Sequence, residues 1–104
     1  MKPVVKLFTL LILIVACPLA MGADPEAGKS KAAVCAACHG PQGISPTDLW
    51  PNLAGQKAGY LVKQMKAFRD GDRNEPTMSP FVKPLSDEDI ENLAAYFSSL
   101  KPGQ

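Results

Sequence analysis

The 104 residues of the chain are enough for one small domain. Eleven basic residues against ten acidic ones give a net charge of +1, with no basic cluster of the kind that nucleic-acid-binding faces carry. We therefore expect no nucleic-acid partner, and a near-neutral surface also argues against long-range steering toward one highly charged partner.

The first residues of the chain have the pattern of an export signal. A positively charged start precedes an apolar run over residues 7–16, which only Thr9 interrupts. At about ten residues, this run is half of the roughly 20 that a membrane-spanning helix needs. Pro18 ends the run, and small residues follow.

We expect residues 1–23 to be a signal peptide cleaved after Gly22 or Ala23, and residues 24–104 to form one domain in the periplasm. An alternative stays open, because the residues before Cys17 resemble the site at which bacterial lipoproteins are cut and acylated. Cleavage removes two lysines and leaves nine basic residues against ten acidic ones.

The mature chain of about 80 residues is close to the size at which a hydrophobic core alone gives marginal stability. Its two cysteines, Cys35 and Cys38, are three positions apart, and a disulfide between them would close a very small loop and stabilise little. A large apolar cofactor would supply the missing stabilisation.

Three helical stretches and the lack of alternating apolar and polar runs predict an all-α domain. The first helix is predicted to begin after Asp24, an N-cap followed by Pro25, and to run into the cysteines. Gly28 lies inside this helix. Two interpretations of the glycine stay open, simple tolerance or a close approach by another helix.

The second helix is predicted over roughly 59–69, with Leu61, Met65 and Phe68 on one apolar face. Prolines and glycines mark the loops on either side, residues 40–58 and 71–84. Loops this long in so small a domain need something to pack against.

The third helix has the clearest signals. Ser86 is its predicted N-cap, Asp89 completes a near capping box, and Leu85 with Ile90 can form a hydrophobic staple. Pro102 stops the helix. Its buried stripe is predicted to consist of Ile90, Leu93, Ala94, Phe97 and Leu100.

The motif Cys-Ala-Ala-Cys-His from Cys35 to His39 is the strongest chemical signal in the chain. Residues three apart share a face of a helical turn, so both sulfurs can reach the two vinyl groups along one edge of a haem. The residue that follows, His39, can supply an axial nitrogen. The spacing therefore predicts covalent haem c held by Cys35 and Cys38, with His39 as a ligand of its iron.

Other interpretations of the motif have less support. A thioredoxin-like dithiol belongs to a βαβ unit, and the sequence has no strand pattern. A structural zinc site needs four ligands, whereas the mature chain offers two cysteines and one histidine.

The other axial position of the iron needs a second ligand or stays open. His39 is the only histidine, which leaves methionine as the soft donor. Met65 belongs to the apolar face of the second helix, whereas Met78 lies between Pro76 and Pro80, which are expected to stiffen its loop and keep it out of a helix. We predict that Met78 is the ligand, with Met65 or an open site as the alternatives.

Four stretches of the sequence, residues 35–40, 50–56, 60–68 and 85–90, resemble the class I cytochromes c, and in particular their small bacterial periplasmic members. The chain is also similar to single domains of the dihaem cytochromes. The resemblance implies a small all-α fold of three to five helices around one covalently bound haem, with the first and last helices crossing.

The resemblance also implies particular contacts. Gly28 would face the last helix near residues 93–97, which favours the close approach. The carbonyl of Pro51 would accept the second ring proton of His39. Trp50 would lie either at a haem propionate or in the core.

We expect the protein to be an electron carrier of a respiratory chain rather than an enzyme, moving one electron at a time and binding no small molecule at iron. Its partners would be redox proteins, a periplasmic or membrane-bound reductase and oxidase, and it would be monomeric. Contact around Ala36, Ala37, Gly40 and residues 79–81 would be brief and bury less than about 1,200 Å². Alternatives are a haem subunit of a periplasmic dehydrogenase or oxidase, and a sensor or weak peroxidase with an open iron.

Overall fold

The computed structural model describes residues 1–14 and 22–103. The signal-peptide prediction draws on Cys17 and Pro18, which lie outside the described residues. Within the described ranges the regular secondary structure is helical throughout, as predicted. None of the helices in those ranges has both the length and the apolar character that crossing a membrane requires.

The first helix, α1 (Pro25–Lys31), begins where the sequence predicted. The carboxylate of Asp24 accepts a hydrogen bond from the Glu26 backbone N–H at 2.9 Å, which satisfies one of the free donors at a helix start. A 3₁₀ segment follows at Ala32–Cys35, and a short helix α2 covers Ala36–His39. The chain thus changes to the tighter 3₁₀ geometry as it reaches the first cysteine, and α1 does not continue through the motif as one regular helix.

The second long helix, α3 (Ala58–Asp70), is one residue longer at each end than predicted. It stops at Gly71, whose φ of +89° is a left-handed conformation that glycine adopts without strain. Leu61 and Met65 are buried on its inner face, and Phe68 is half-buried.

Helix α5 (Asp87–Ser99) confirms the predicted capping box. The hydroxyl of Ser86 accepts from the Asp89 N–H at 3.0 Å, and the Ser86 N–H donates to the Asp89 carboxylate at 3.1 Å. The bond from the Ser86 N–H is the main cause that holds the pKa of Asp89 below its usual range. Lys31 at the end of α1 lies 3.6 Å from the same carboxylate, so this cap also connects the two helices.

The prediction that prolines keep the Met78 loop out of a helix holds for Met78 itself, which lies in a turn, but not for the residues that follow it. Helix α4 (Ser79–Val82) begins directly after Met78. Pro80 lies in its first turn, where the missing N–H has no helical acceptor to lose and the fixed φ suits the helix.

Close contact between α1 and α5 confirms the second interpretation of Gly28. The contact lies at Asn92 and Tyr96, displaced by one residue at its start from the expected 93–97. A Cβ at Gly28 would overlap the carbonyl oxygen of Asn92 and lie 2.9 Å from the Tyr96 Cβ. The side chain of Asn92, itself buried, accepts from the Asp24 N–H at 2.8 Å and fixes the same contact.

The core lies between the 3₁₀ segment, α3, α4 and α5. Four of the five residues predicted for the stripe on α5 are buried in it, and Leu100 is only partly buried. The buried core cluster consists of Ala32, Leu61, Met65, Val82, Ile90, Leu93, Ala94 and Phe97.

Replacement of Gly28 by alanine tests this packing. The added methyl group overlaps backbone atoms of α5, so we expect Gly28→Ala to lower the free energy of unfolding by about 1–3 kcal/mol or more. Gly59→Ala is the matched control, because it lies in α3 with no atom within 4 Å of the added Cβ. That variant should gain up to about 1 kcal/mol. Urea unfolding followed by circular dichroism measures both, and equal effects would contradict the close contact.

Candidate functional site

A cavity of about 600 Å³ lies between the Cys35–His39 segment, α3 and the loop that carries Met78. Its volume is within the roughly 300–1,000 Å³ typical of cofactor sites. All four side chains that the sequence singled out, Cys35, Cys38, His39 and Met78, are on its wall. The apolar part of the wall includes Leu61, Met65, Phe68, Val82, Leu93 and Phe97.

The two thiols reach the cavity from different elements. Cys35 ends the 3₁₀ segment and Cys38 belongs to α2, and both are free, half-buried thiols. Burial raises the pKa of the Cys35 thiol, because desolvation disfavours the thiolate. One short stretch of chain therefore presents two sulfurs to the same wall, as the spacing predicted.

His39 is buried, and one hydrogen bond fixes its ring. Its Nδ1 lies 2.8 Å from the carbonyl oxygen of Pro51, which confirms the contact that the resemblance implied. A carbonyl can only accept, so Nδ1 carries a proton, and in the neutral imidazole this leaves the lone pair on Nε2. An imidazole oriented in this way is the usual state of a metal-binding histidine.

Hydrogen bonds hold the loop that carries Pro51, and sequence reasoning did not identify them. The carbonyl of Gly43 accepts from the N–H groups of Leu53 and Ala54 at 2.8 and 3.0 Å. The Asn52 side chain accepts from the Ser45 N–H at 2.7 Å. These residues directly follow Pro51, so the bonds fix the carbonyl that faces His39.

Both candidate methionines line the cavity. Met65 is 9% exposed and packs within the core cluster, as expected for an apolar helix face. Met78 is half-buried, and its N–H donates to the Glu75 carbonyl at 3.1 Å as the chain turns into α4. The assignment of Met78 as the iron ligand stays a prediction.

Arg73 is a cavity residue that sequence reasoning missed. Its guanidinium carbon lies 4.4 Å from the centre of the Phe68 ring, and its Nη1 donates to the Gln64 side chain at 2.8 Å. Phe68 and Gln64 are four positions apart on α3, a spacing that places them on one face. That spacing could have indicated a common neighbour, but nothing in the sequence marks Arg73 as this neighbour.

Gly40 does not belong to the exposed surface where the sequence analysis placed it. It is buried with φ of +83°, and a Cβ there would overlap the Ile44 carbonyl. Phe81, which the predicted surface included, is exposed on the cavity wall, and so are the large apolar side chains of Val34, Leu49 and Tyr60. Trp50 is half-buried on the same wall.

The residues present fit a haem. A largely apolar cavity suits the macrocycle, two free thiols lie on one wall, and His39 has its Nε2 lone pair available. Exposure of this apolar wall to water would also be costly. Removal of apolar surface from water is worth about 25 cal/mol per Å², so a haem that covers this wall would stabilise the fold.

The family model described as cytochrome c matches residues 25–101. The chain therefore belongs to the cytochrome c family, whose members bind covalently attached haem c, and Cys35 and Cys38 lie at the cysteine positions of its attachment motif. Its all-helical architecture is the cytochrome c fold.

Three similar proteins illustrate the relationship. Cytochrome c-554(548) of Halomonas halodenitrificans is 48% identical over 79 residues, which are 73% of this chain and 95% of that protein. The thiosulfate dehydrogenase electron acceptor of Thiomonas intermedia is 42% identical over 103 residues, 98% of this chain and 46% of that protein. Reduced cytochrome c4 from Pseudomonas stutzeri superimposes with a TM-score of 0.73 at 45% identity, covering 77% of this chain and 47% of that one.

Several of these relatives are longer than the chain. The chain spans about 40% of the length of the cytochrome c4 sequences that it matches, from Thiocapsa roseopersicina and Pseudomonas aeruginosa. The similarity therefore corresponds to one part of those proteins and to nearly all of cytochrome c-554(548).

Proposed function

We propose that this chain is an electron carrier with one haem c, attached through Cys35 and Cys38 and ligated by His39 and Met78. The observation that supports the proposal is that one apolar cavity is lined by two free thiols, an oriented imidazole and a methionine from a separate loop. Haem c supplies an iron that alternates between the ferric and ferrous states.

The chain's own residues would determine how readily that iron accepts an electron. Pro51 holds the proton on Nδ1 of His39, which keeps Nε2 available as a donor and fixes the plane of the ring. The soft sulfur of Met78 would favour ferrous iron, and the apolar wall disfavours the extra charge of the ferric state. With His39 and Met78 both bound to iron, no small-molecule substrate would bind there.

We propose redox proteins as the partners, a reductase and an oxidase in the periplasm or its bounding membrane. The name of the Thiomonas relative, a thiosulfate dehydrogenase electron acceptor, supports a dehydrogenase as one class of donor. Val34 and Phe81 would contribute to the docking face, since both are exposed apolar side chains on the cavity wall. Contacts of this kind are small and brief, and we propose a monomer.

Covalent attachment is tested by haem retention. After maturation in a competent strain, acid–acetone extraction should leave the haem with the denatured polypeptide, because thioether bonds survive unfolding. Cys35→Ala or Cys38→Ala should weaken retention, and the double variant should abolish it. A haem-stained gel with intact-mass measurement reads the result. A colourless wild-type protein from that strain is incompatible with the proposal.

The axial ligand is tested by comparing the two methionines. The oxidised protein should show the weak band near the red end of the visible spectrum that sulfur–iron coordination produces. Met78→Ala should remove the band, lower the reduction potential and open the ferrous iron to carbon monoxide, because the soft donor is gone.

Met65→Leu is the control, because it conserves volume in the core and should cost less than about 1.5 kcal/mol while all three properties persist. Loss of the band in the Met65 variant with its retention in the Met78 variant would reverse the assignment. A wild-type protein that already binds carbon monoxide would instead favour the sensor.

Export is tested at the N-terminus of the mature protein. The family match over residues 25–101 supports a domain proposed for residues 24–104. Intact mass and N-terminal sequencing of the periplasmic fraction should give a mature protein beginning at Ala23 or Asp24. Diacylglycerol on Cys17 would establish the membrane-anchored lipoprotein instead.

A further inference from the structure

We propose that Arg73 is a positioning residue that fastens the Met78 loop to helix α3 and so keeps the methionine sulfur at the iron. The inference rests on the proposed function, since it takes Met78 as an axial ligand. Arg73 is neither a proposed iron ligand nor an attachment residue. It would act on Met78 through the backbone of the loop.

Backbone and side chain of Arg73 are both bound to one helix. Its N–H donates to the Ala67 carbonyl at 3.0 Å, beyond the end of the regular helical bonds. Its Nη1 donates to the Gln64 side chain at 2.8 Å. Its guanidinium lies over the Phe68 ring at 4.4 Å, a distance at which a cation is attracted to an aromatic face.

Internal hydrogen bonds hold the turn that carries Met78, so the point at which this turn is anchored matters. The Glu75 carbonyl accepts from the N–H groups of Met78 and Ser79 at 3.1 and 2.9 Å. The Glu75 carboxylate accepts from the Thr77 N–H at 3.1 Å. Residues 75–79 therefore form one hydrogen-bonded turn, and its position on α3 determines where the Met78 sulfur lies.

Two points attach this turn to α3 by polar contacts. At its far end the Ser79 hydroxyl lies 3.5 Å from the Phe68 carbonyl, which is the outer limit of a hydrogen bond. Arg73 supplies the near end with two shorter bonds and the contact with the ring. Since the Ser79 contact is weak, Arg73 makes the stronger polar attachment of the turn to α3.

The charge of Arg73 has no carboxylate partner within 4 Å in the part of the chain that the structure describes. Arg69, four positions earlier, pairs with Asp70 and Asp87 at 2.8 Å. The two arginines thus have different roles, since Arg69 joins α3 to α5 and Arg73 joins the Met78 loop to α3.

A loosened turn should weaken the Met78–iron bond relative to competing ligands. An added ligand such as imidazole binds ferric iron only in the fraction of molecules whose sulfur has left. Its apparent affinity therefore rises in proportion to that fraction. This measurement reports the position of the methionine and does not depend on global stability or on electron-transfer activity.

The experiment uses the haem-loaded protein and imidazole titration of its ferric form. Arg73→Gln should bind imidazole at least roughly tenfold more tightly and show a weaker red-end band, because a lost ring contact and a lost charge-assisted hydrogen bond are together worth more than a factor of ten. Arg73→Lys, which keeps a cation, should lie between wild type and Arg73→Gln. Covalent haem content should be equal in all three.

Lys63→Gln is the matched control, because it removes one exposed positive charge from the same helix. It should leave imidazole affinity within about twofold of wild type. Gln64→Leu removes the acceptor of the Arg73 side chain. Its effect should not add to that of Arg73→Gln, since both variants break the same hydrogen bond.

The outcomes separate this inference from the proposed function. A wild type that shows the band, with Arg73→Gln no different from Lys63→Gln, overturns the role of Arg73 and leaves the carrier intact. Full additivity of Gln64→Leu and Arg73→Gln also contradicts it. A wild type without the band removes Met78 as the ligand, and both proposals lose their basis.

Discussion

The close contact of α1 with α5 at Gly28 is the constraint on which the rest of this small domain depends. Because Gly28 has no side chain, the backbone of α1 can approach the Asn92 carbonyl, and the Asn92 amide then binds the Asp24 N–H. The cysteines and His39 follow α1 without a loop between them. Their position over the cavity therefore depends on the backbone contact at Gly28, which lies more than about 10 Å earlier along the helical segment.

The cavity and the hydrophobic core share their side chains. Leu61, Met65, Val82, Leu93 and Phe97 belong to the buried cluster and also line the cavity. Apolar surface left in water lowers stability, and a typical domain is stable by only about 5–15 kcal/mol. Cofactor and fold are consequently coupled, because the haem would complete a core that so short a chain cannot build by itself.

The features that the sequence could predict are those with local physical causes. Capping at Asp24 and Ser86 places the starts of α1 and α5, since the side chain that begins each helix lies beside the donors it satisfies. Helix α4 was missed because a proline has two opposite meanings for a helix. Inside a helix it causes a break, whereas in the first turn it is favourable, and only the fold shows which position Pro80 occupies. Arg73 was missed because its partners are tertiary contacts without a periodic pattern.

The proposed ligands differ in how firmly the fold holds them, and this difference bears on function. His39 lies in a short helix, and a loop with several backbone bonds holds its partner Pro51. Met78 precedes a helix of four residues and depends on a single hydrogen-bonded turn. Of the bonds proposed to the haem, the sulfur–iron bond is therefore the one that substitutions in the surrounding loop can adjust. Such adjustment would tune the reduction potential while leaving the attachment unchanged, because the proposed thioether bonds are covalent.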